Sequence, residues 1–128
     1  MEAVAVTRGI RVEVEPRFSP EHSDRSSGHW FFLYRVRITN ESSSVAQLLS
    51  RHWVITDAYG QIEEVRGPGV VGETPRLQPG QRFEYTSGCP LGTPFGSMEG
   101  SYQMVDGEGV PFDVQIPPFA LREPNSMH

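Results

Sequence analysis

The chain has 128 residues, a length that suits one domain with one core and leaves little room for a second. With 37% hydrophobic and 21% charged residues, it has the composition of an ordinary globular protein. A formal net charge of -5 argues against generic nucleic-acid binding, and all 11 basic residues are arginine, which excludes a P-loop or Schiff-base lysine.

The N-terminal run Met1-Glu2-Ala3-Val4-Ala5-Val6 has no basic segment and no long apolar stretch, so neither a signal peptide nor a transmembrane helix is expected. Ile10, Val12 and Val14 alternate with Arg11, Glu13 and Glu15, which predicts a half-buried strand ending at Pro16. Ser19 to Gly28 is polar and reads as a mobile surface loop. Phe32, Tyr34, Val36 and Ile38 then alternate with Leu33, Arg35, Arg37 and Thr39, the clearest strand in the chain. A turn at Asn40 to Ser44 leads to a strand from Val45 to Ala58, with Trp53 and Ile55 on one face and His52 and Val54 on the other. Tyr59-Gly60 predicts a turn, and Gln61 to Val65 a short strand.

Between Gly67 and Gly80 stand four glycines and three prolines, too many for a helix. Phe83 and Tyr85 mark another strand, as do Met98, Tyr102 and Met104. Asp106-Gly107-Glu108-Gly109 predicts a hairpin turn. Phe112, Val114 and Ile116 form the last alternating run, and Pro117-Pro118 is expected to end its pairing. No segment has helical periodicity. About seven to eight short antiparallel strands predict an all-β sandwich. The single domain spans 1–128, with an ordered core at about 8–122 and short tails at both ends.

Local features favour the immunoglobulin-like variety of sandwich. Gly100-Ser101-Tyr102-Gln103-Met104 has the form of the tyrosine corner that enters strand F, whose hydroxyl returns to the backbone. Trp53 would be the core tryptophan of strand C, and Val36 and Met104 would replace the antibody disulfide. Leu77-Gln78-Pro79-Gly80 would be the turn before strand E. The one cysteine, Cys89, rules out an intrachain disulfide and fits a reducing compartment, so a cytoplasmic location is expected.

Gly67-Pro68-Gly69-Val70-Val71-Gly72 matches the dinucleotide-binding pattern G-x-G-x-x-G. That motif needs a following helix, which Pro75, Pro79 and Gly80 forbid, and Pro68 lacks an N–H donor. The segment therefore reads as a glycine-rich connection between strands or as an exposed binding loop. As a binding loop, its N–H groups could cradle an anion with help from Arg66 and Arg76. Alternatively Val70 and Val71, with Glu73 beside them, could anchor a protein partner. Arg51 and His52, next to Trp53 on its strand, form a second candidate binding element, against the reading that they merely face solvent or bond to neighbours.

No catalytic constellation emerges. His22, His29, His52 and His128 lack zinc-ligand spacing, so no metal site is expected. No G-x-S-x-G elbow is present. Glu63 and Glu64 point to opposite faces of a strand. Cys89 has no feature that would lower its pKa and reads as a buried or half-buried thiol.

Several of these segments, taken in order, resemble the ApaG family. They are Arg51-His52-Trp53-x-Ile55-x-Asp57, Val65-x-Gly67-x-Gly69-Val70-Val71-Gly72-Glu73-x-Pro75, Leu77-x-Pro79-Gly80, Tyr85-Thr86-Ser87-Gly88, Gly96-x-Met98-x-Gly100-x-Tyr102-x-Met104 and Ile116-Pro117-x-Phe119-x-Leu121. The resemblance spans roughly Val12 to Leu121. It implies a fibronectin type III or immunoglobulin-like sandwich without catalytic residues and without a cofactor. It also implies a non-enzymatic module for protein–protein interaction, with a family link to cobalt resistance and magnesium efflux. Two alternatives to a protein partner stay open, a pyrophosphate or diadenosine polyphosphate at the glycine loop and a divalent cation; separately, an exposed edge strand could pair two copies into a homodimer.

Overall fold

The computed structural model describes residues 2–124. Nine strands pack as two antiparallel sheets: β1 (Ala3–Thr7), β2 (Ile10–Phe18), β3 (Trp30–Asn40), β4 (Ala46–Asp57), β5 (Ile62–Pro68), β6 (Arg76–Leu77), β7 (Arg82–Leu91), β8 (Phe95–Asp106) and β9 (Pro111–Arg122). One sheet has the order β1-β2-β3-β7; the other has β5-β4-β8-β9, with β6 also paired to β4. Thus β2, β3 and β7 take the places of immunoglobulin strands A, B and E, while β4, β8 and β9 take those of C, F and G. β5 pairs on the free side of β4, the position of strand C′. The expected sandwich is the observed one.

The alternation read from sequence is what seals the core. Val12 and Val14 of β2, Val36 and Ile38 of β3, Leu48 of β4, Met104 of β8 and Val114 and Ile116 of β9 are all buried. Trp53 does stand on the strand C equivalent. Its ring meets Tyr34 edge-on at 5.2 Å and Phe119 at 6.0 Å, joining the two sheets. Val36 and Met104 lie buried in opposite sheets, at the antibody disulfide's places.

Four local expectations are corrected. Ala3–Thr7, assigned to an N-terminal tail, forms β1, joined to β2 by Arg8-Gly9 with both residues at positive φ (49° and 81°). Positive φ at both central positions is the signature of a type I′ hairpin turn. The expected C-terminal tail, with His128, mostly falls at 125–128, outside the described residues. Pro16 does not end its strand: β1 covers β2 only up to Val14, so Pro16 meets Tyr34 of β3 with its other side unpaired. Pro117-Pro118 does not end β9 either. The strand slips one register opposite Glu99 and continues to Arg122, so Phe119 and Leu121 face inward after the slip.

Tyr102, the fourth, is not a corner residue. It lies in the middle of β8 rather than at the corner, fully buried, and its hydroxyl meets the Tyr85 hydroxyl of the facing sheet at 2.5 Å. The loop from Ser19 to Gly28 carries two single turns of 3-10 helix and is anchored by Ser23, whose hydroxyl accepts from the Phe31 amide. Asn40, buried, holds three segments together. Its amide donates to the carbonyls of Ser44 and Leu77, and its oxygen accepts from the amide and hydroxyl of Ser42.

Candidate functional site

The first sheet ends at β7 and the second at β5. Between these edges the sandwich opens into a cleft of about 340 Å³, at the small end of ligand-sized cavities. Tyr34, Tyr85 and Ser87 line it from one sheet, Arg51 and Trp53 from the other, and the 68–72 segment closes one end. A second compartment of about 220 Å³ continues past Ser87 to Glu63 and Cys89.

Arg51 reaches the cleft because it shares Trp53's face of β4; His52 takes the opposite, outer face. The guanidinium lies against Gly67, its cross-strand partner. A Cβ at Gly67 would stand 3.0 Å from both terminal nitrogens. From there Nη1 donates to the Pro68 and Gly69 carbonyls at 2.8 and 2.9 Å.

The remaining glycines of the motif shape the loop itself. Gly69, at φ 59°, has the Glu73 carbonyl where a Cβ would be. Its amide donates to the Leu49 carbonyl. Val70 and Glu73 then exchange both backbone hydrogen bonds, 2.8 and 2.9 Å, around Val71 (φ 44°) and Gly72 (φ 81°). Val70-Val71-Gly72-Glu73 is therefore a two-residue hairpin turn of the I′ kind, whose first central position prefers Asn, Asp or Gly. It holds a β-branched residue instead, 55% exposed and in a backbone region such residues rarely occupy. G-x-G-x-x-G here is a place for an arginine, a close approach and a tight turn.

The structure sorts the sequence candidates. Arg51, Gly67, Gly69, Val71, Gly72 and Glu73 gather at the mouth of the cleft. Val70 is corrected from surface anchor to core: its side chain is fully buried, because the turn that exposes Val71 directs its neighbour inward. His52 and Arg66 pair across the outer face, where His52 Nε2 shares a 2.7 Å hydrogen bond with Glu64 and Arg66 lies 3.8 Å from the same carboxylate. Arg76 is exposed on β6, at the register of Gln47, and lines neither compartment. The amides of Gly69, Val70 and Glu73 are occupied by backbone carbonyls, which removes them from an anion cradle.

Sequence reading missed the tyrosines as a group. Tyr34, Tyr85 and Tyr102 occupy inward positions, so each places a hydroxyl on an apolar face; that is the signal in the alternation. Burial holds all three hydroxyls above the usual phenol range. The nearby Arg51 charge opposes the shift, as does the neighbouring Ser87 hydroxyl at Tyr34. Cys89 is buried on β7 and its thiol is pushed up to about 11, chiefly by burial and further by the Glu63 charge. Among the described residues no three His, Cys, Asp or Glu side chains group as metal ligands. No helix among them is long and apolar enough to cross a membrane.

The family model that matches is the ApaG domain, over residues 20–106. Protein ApaG of Bradyrhizobium sp. (strain ORS 278) is 57% identical over 121 residues, 94% of this chain and 93% of its own length. Protein ApaG of Bordetella pertussis is 53% identical over 119 residues, 93% of this chain and 91% of its own. A crystal structure of an ApaA protein from Bordetella pertussis superposes with a TM-score of 0.87 at 51% identity, covering 97% of this chain and 98% of the other.

Proposed function

The chain belongs to the ApaG domain family, and we propose that it acts as a non-catalytic binding module that captures a protein partner on the Val71 turn and the cleft behind it. The observation that carries this reading is Val71 itself. A type I′ turn is easily built with Asn-Gly or Asp-Gly. This turn keeps an exposed apolar residue at a position that costs about 1–2 kcal/mol relative to a right-handed one. Stored backbone strain of this kind clusters at functional sites. The turn is braced on both sides, by Arg51 and by the Leu49 carbonyl, so it presents Val71 on a rigid support.

On this reading the partner works in the cytoplasm, and the family's association with cobalt resistance and magnesium efflux acts through that partner rather than through a cation held here. The test is capture from native lysate by the wild type and by Val71→Asn. Loss of a specific band with the folded variant is expected; unchanged capture would refute the reading.

A further inference from the structure

Arg51 differs from every other arginine in the described structure. Arg8, Arg11, Arg25, Arg35, Arg37, Arg66 and Arg82 each lie within 4.0 Å of a carboxylate. Arg17, Arg76 and Arg122 make no such pair but are exposed to water. Arg51 is half-buried between Trp53 and the Tyr34–Tyr85 side of the cleft, and no carboxylate among the described residues forms an ion pair with it.

Its position is built. The lack of a side chain at Gly67 makes room for it, and Nη1 is tied to two carbonyls. The Nε and Nη2 hydrogens have no protein acceptor among the described residues, although a guanidinium offers a planar fork suited to a two-oxygen acceptor. Ser87 and the tyrosine hydroxyls of the facing sheet supply further polar groups, and Trp53, Val70 and Val71 supply apolar wall.

We propose that this cleft is a carboxylate-binding site, in which Arg51 pairs with a singly charged carboxylate whose apolar neighbour packs on Trp53. A single charge fits better than a di- or triphosphate. One arginine faces the cleft, Glu63 lines its second compartment, Glu73 closes the adjacent turn, and the chain as a whole carries -5. The carboxylate comes either from a free organic acid or from an acidic side chain of the partner; the second source rests on the protein-partner reading above, the first does not.

The experiment is an NMR titration of the whole chain, following the Arg51 Nε–H, the Trp53 indole N–H and the 67–73 amides. The probes are phenylacetate, its neutral counterpart phenylacetamide, N-acetyl-valyl-glutamate amide and pyrophosphate. Phenylacetate is expected to shift the Arg51 and Trp53 signals saturably, with phenylacetamide at least tenfold weaker. Tighter binding of the peptide than of phenylacetate assigns the carboxylate to a partner; the reverse assigns it to a free acid. Arg51→Gln is expected to weaken either at least tenfold, and Gly67→Ala, which displaces the guanidinium while keeping its charge, to weaken it as well. Wild-type shifts map the site even if a variant loosens the turn.

Equal responses to phenylacetate and phenylacetamide, no response in the cleft, or pyrophosphate binding there tenfold more tightly than either carboxylate would overturn the proposal. Loss of capture by Val71→Asn without any carboxylate response overturns this site alone. A carboxylate response with unchanged capture overturns the partner reading alone.

Discussion

Replacing Val71 by Asn is expected to stabilise the protein while removing an apolar contact from its surface. Val71 occupies the first central position of a type I′ turn at φ 44°, next to Gly72 at φ 81°. A β-branched residue there costs about 1–2 kcal/mol, whereas Asn tolerates the left-handed region and Asn-Gly is the preferred pair for this turn. The side chain is 55% exposed, so the packing lost on replacement is a fraction of the roughly 1.5–3 kcal/mol of a fully buried valine. The net expectation is a gain of about 0.5–1 kcal/mol, or roughly 2–5 °C in Tm for a domain of this size. Val70, one residue earlier and fully buried, behaves in the opposite way. Val70→Ala removes two methyl groups from the core and should cost about 2 kcal/mol or more. Urea and thermal unfolding of the two variants measure both values. A Val71→Asn variant less stable than wild type by 1 kcal/mol would refute the strained-turn argument.

Asn40→Ala leaves the Ser42 amide without its side-chain acceptor and takes one donor each from the Leu77 and Ser44 carbonyls, the latter keeping the Ser42 hydroxyl, and should cost about 2–4 kcal/mol in urea unfolding. Tyr34, Tyr85 and Tyr102 have raised folded-state pKa values, so the folded state holds their protons longer than the unfolded chain does. Their contribution to stability is complete below the unfolded pKa of about 10 and declines above it. Denaturation from pH 8 to 11.5 should show that decline, with a shallower slope in Tyr85→Phe. The Cys89 thiol, raised to about 11, should react with iodoacetamide at pH 8 only as fast as the protein opens, and fast labelling in the native state would contradict its burial. Glu64→Gln breaks an exposed contact with His52 on the outer face and should change stability by less than about 0.5 kcal/mol.

The architecture was legible because period-two alternation runs unbroken through β3 and the first half of β2 and resumes on either side of the register shifts in β4 and between β8 and β9; Phe32 to Ile38 alone nearly defines β3. What alternation conceals is where a strand stops. Prolines 16, 117 and 118 look like terminators, but each falls where a neighbouring strand is missing or the register slips. β1 was hidden for a different reason. Its small alternating residues looked like a tail, and the Arg8-Gly9 turn carries the glycine signal only at its second position.

For the candidate site, the sequence singled out the 67–72 loop but not which of its side chains face out. The glycines of 67–72 announce unusual backbone, but only the fold shows that Gly67 serves Arg51, sixteen positions earlier and across a strand pair. Likewise Val70 and Val71 are chemically identical neighbours, and the turn alone decides that one is core and the other tip. Tyr85 and Tyr102 meet from opposite sheets, a pairing that strand alternation does not encode.

The proposed seat of a protein partner is the Val71 turn and the adjoining cleft. Cross-saturation NMR on the isotope-labelled chain with its captured partner tests it most directly. Signal loss is expected at the Val71 methyls, the Gly72 and Glu73 amides and the Trp53 indole. Signal loss confined to the outer faces of the sheets, at residues such as His52 and Arg66 or Arg35 and Glu84, would contradict it.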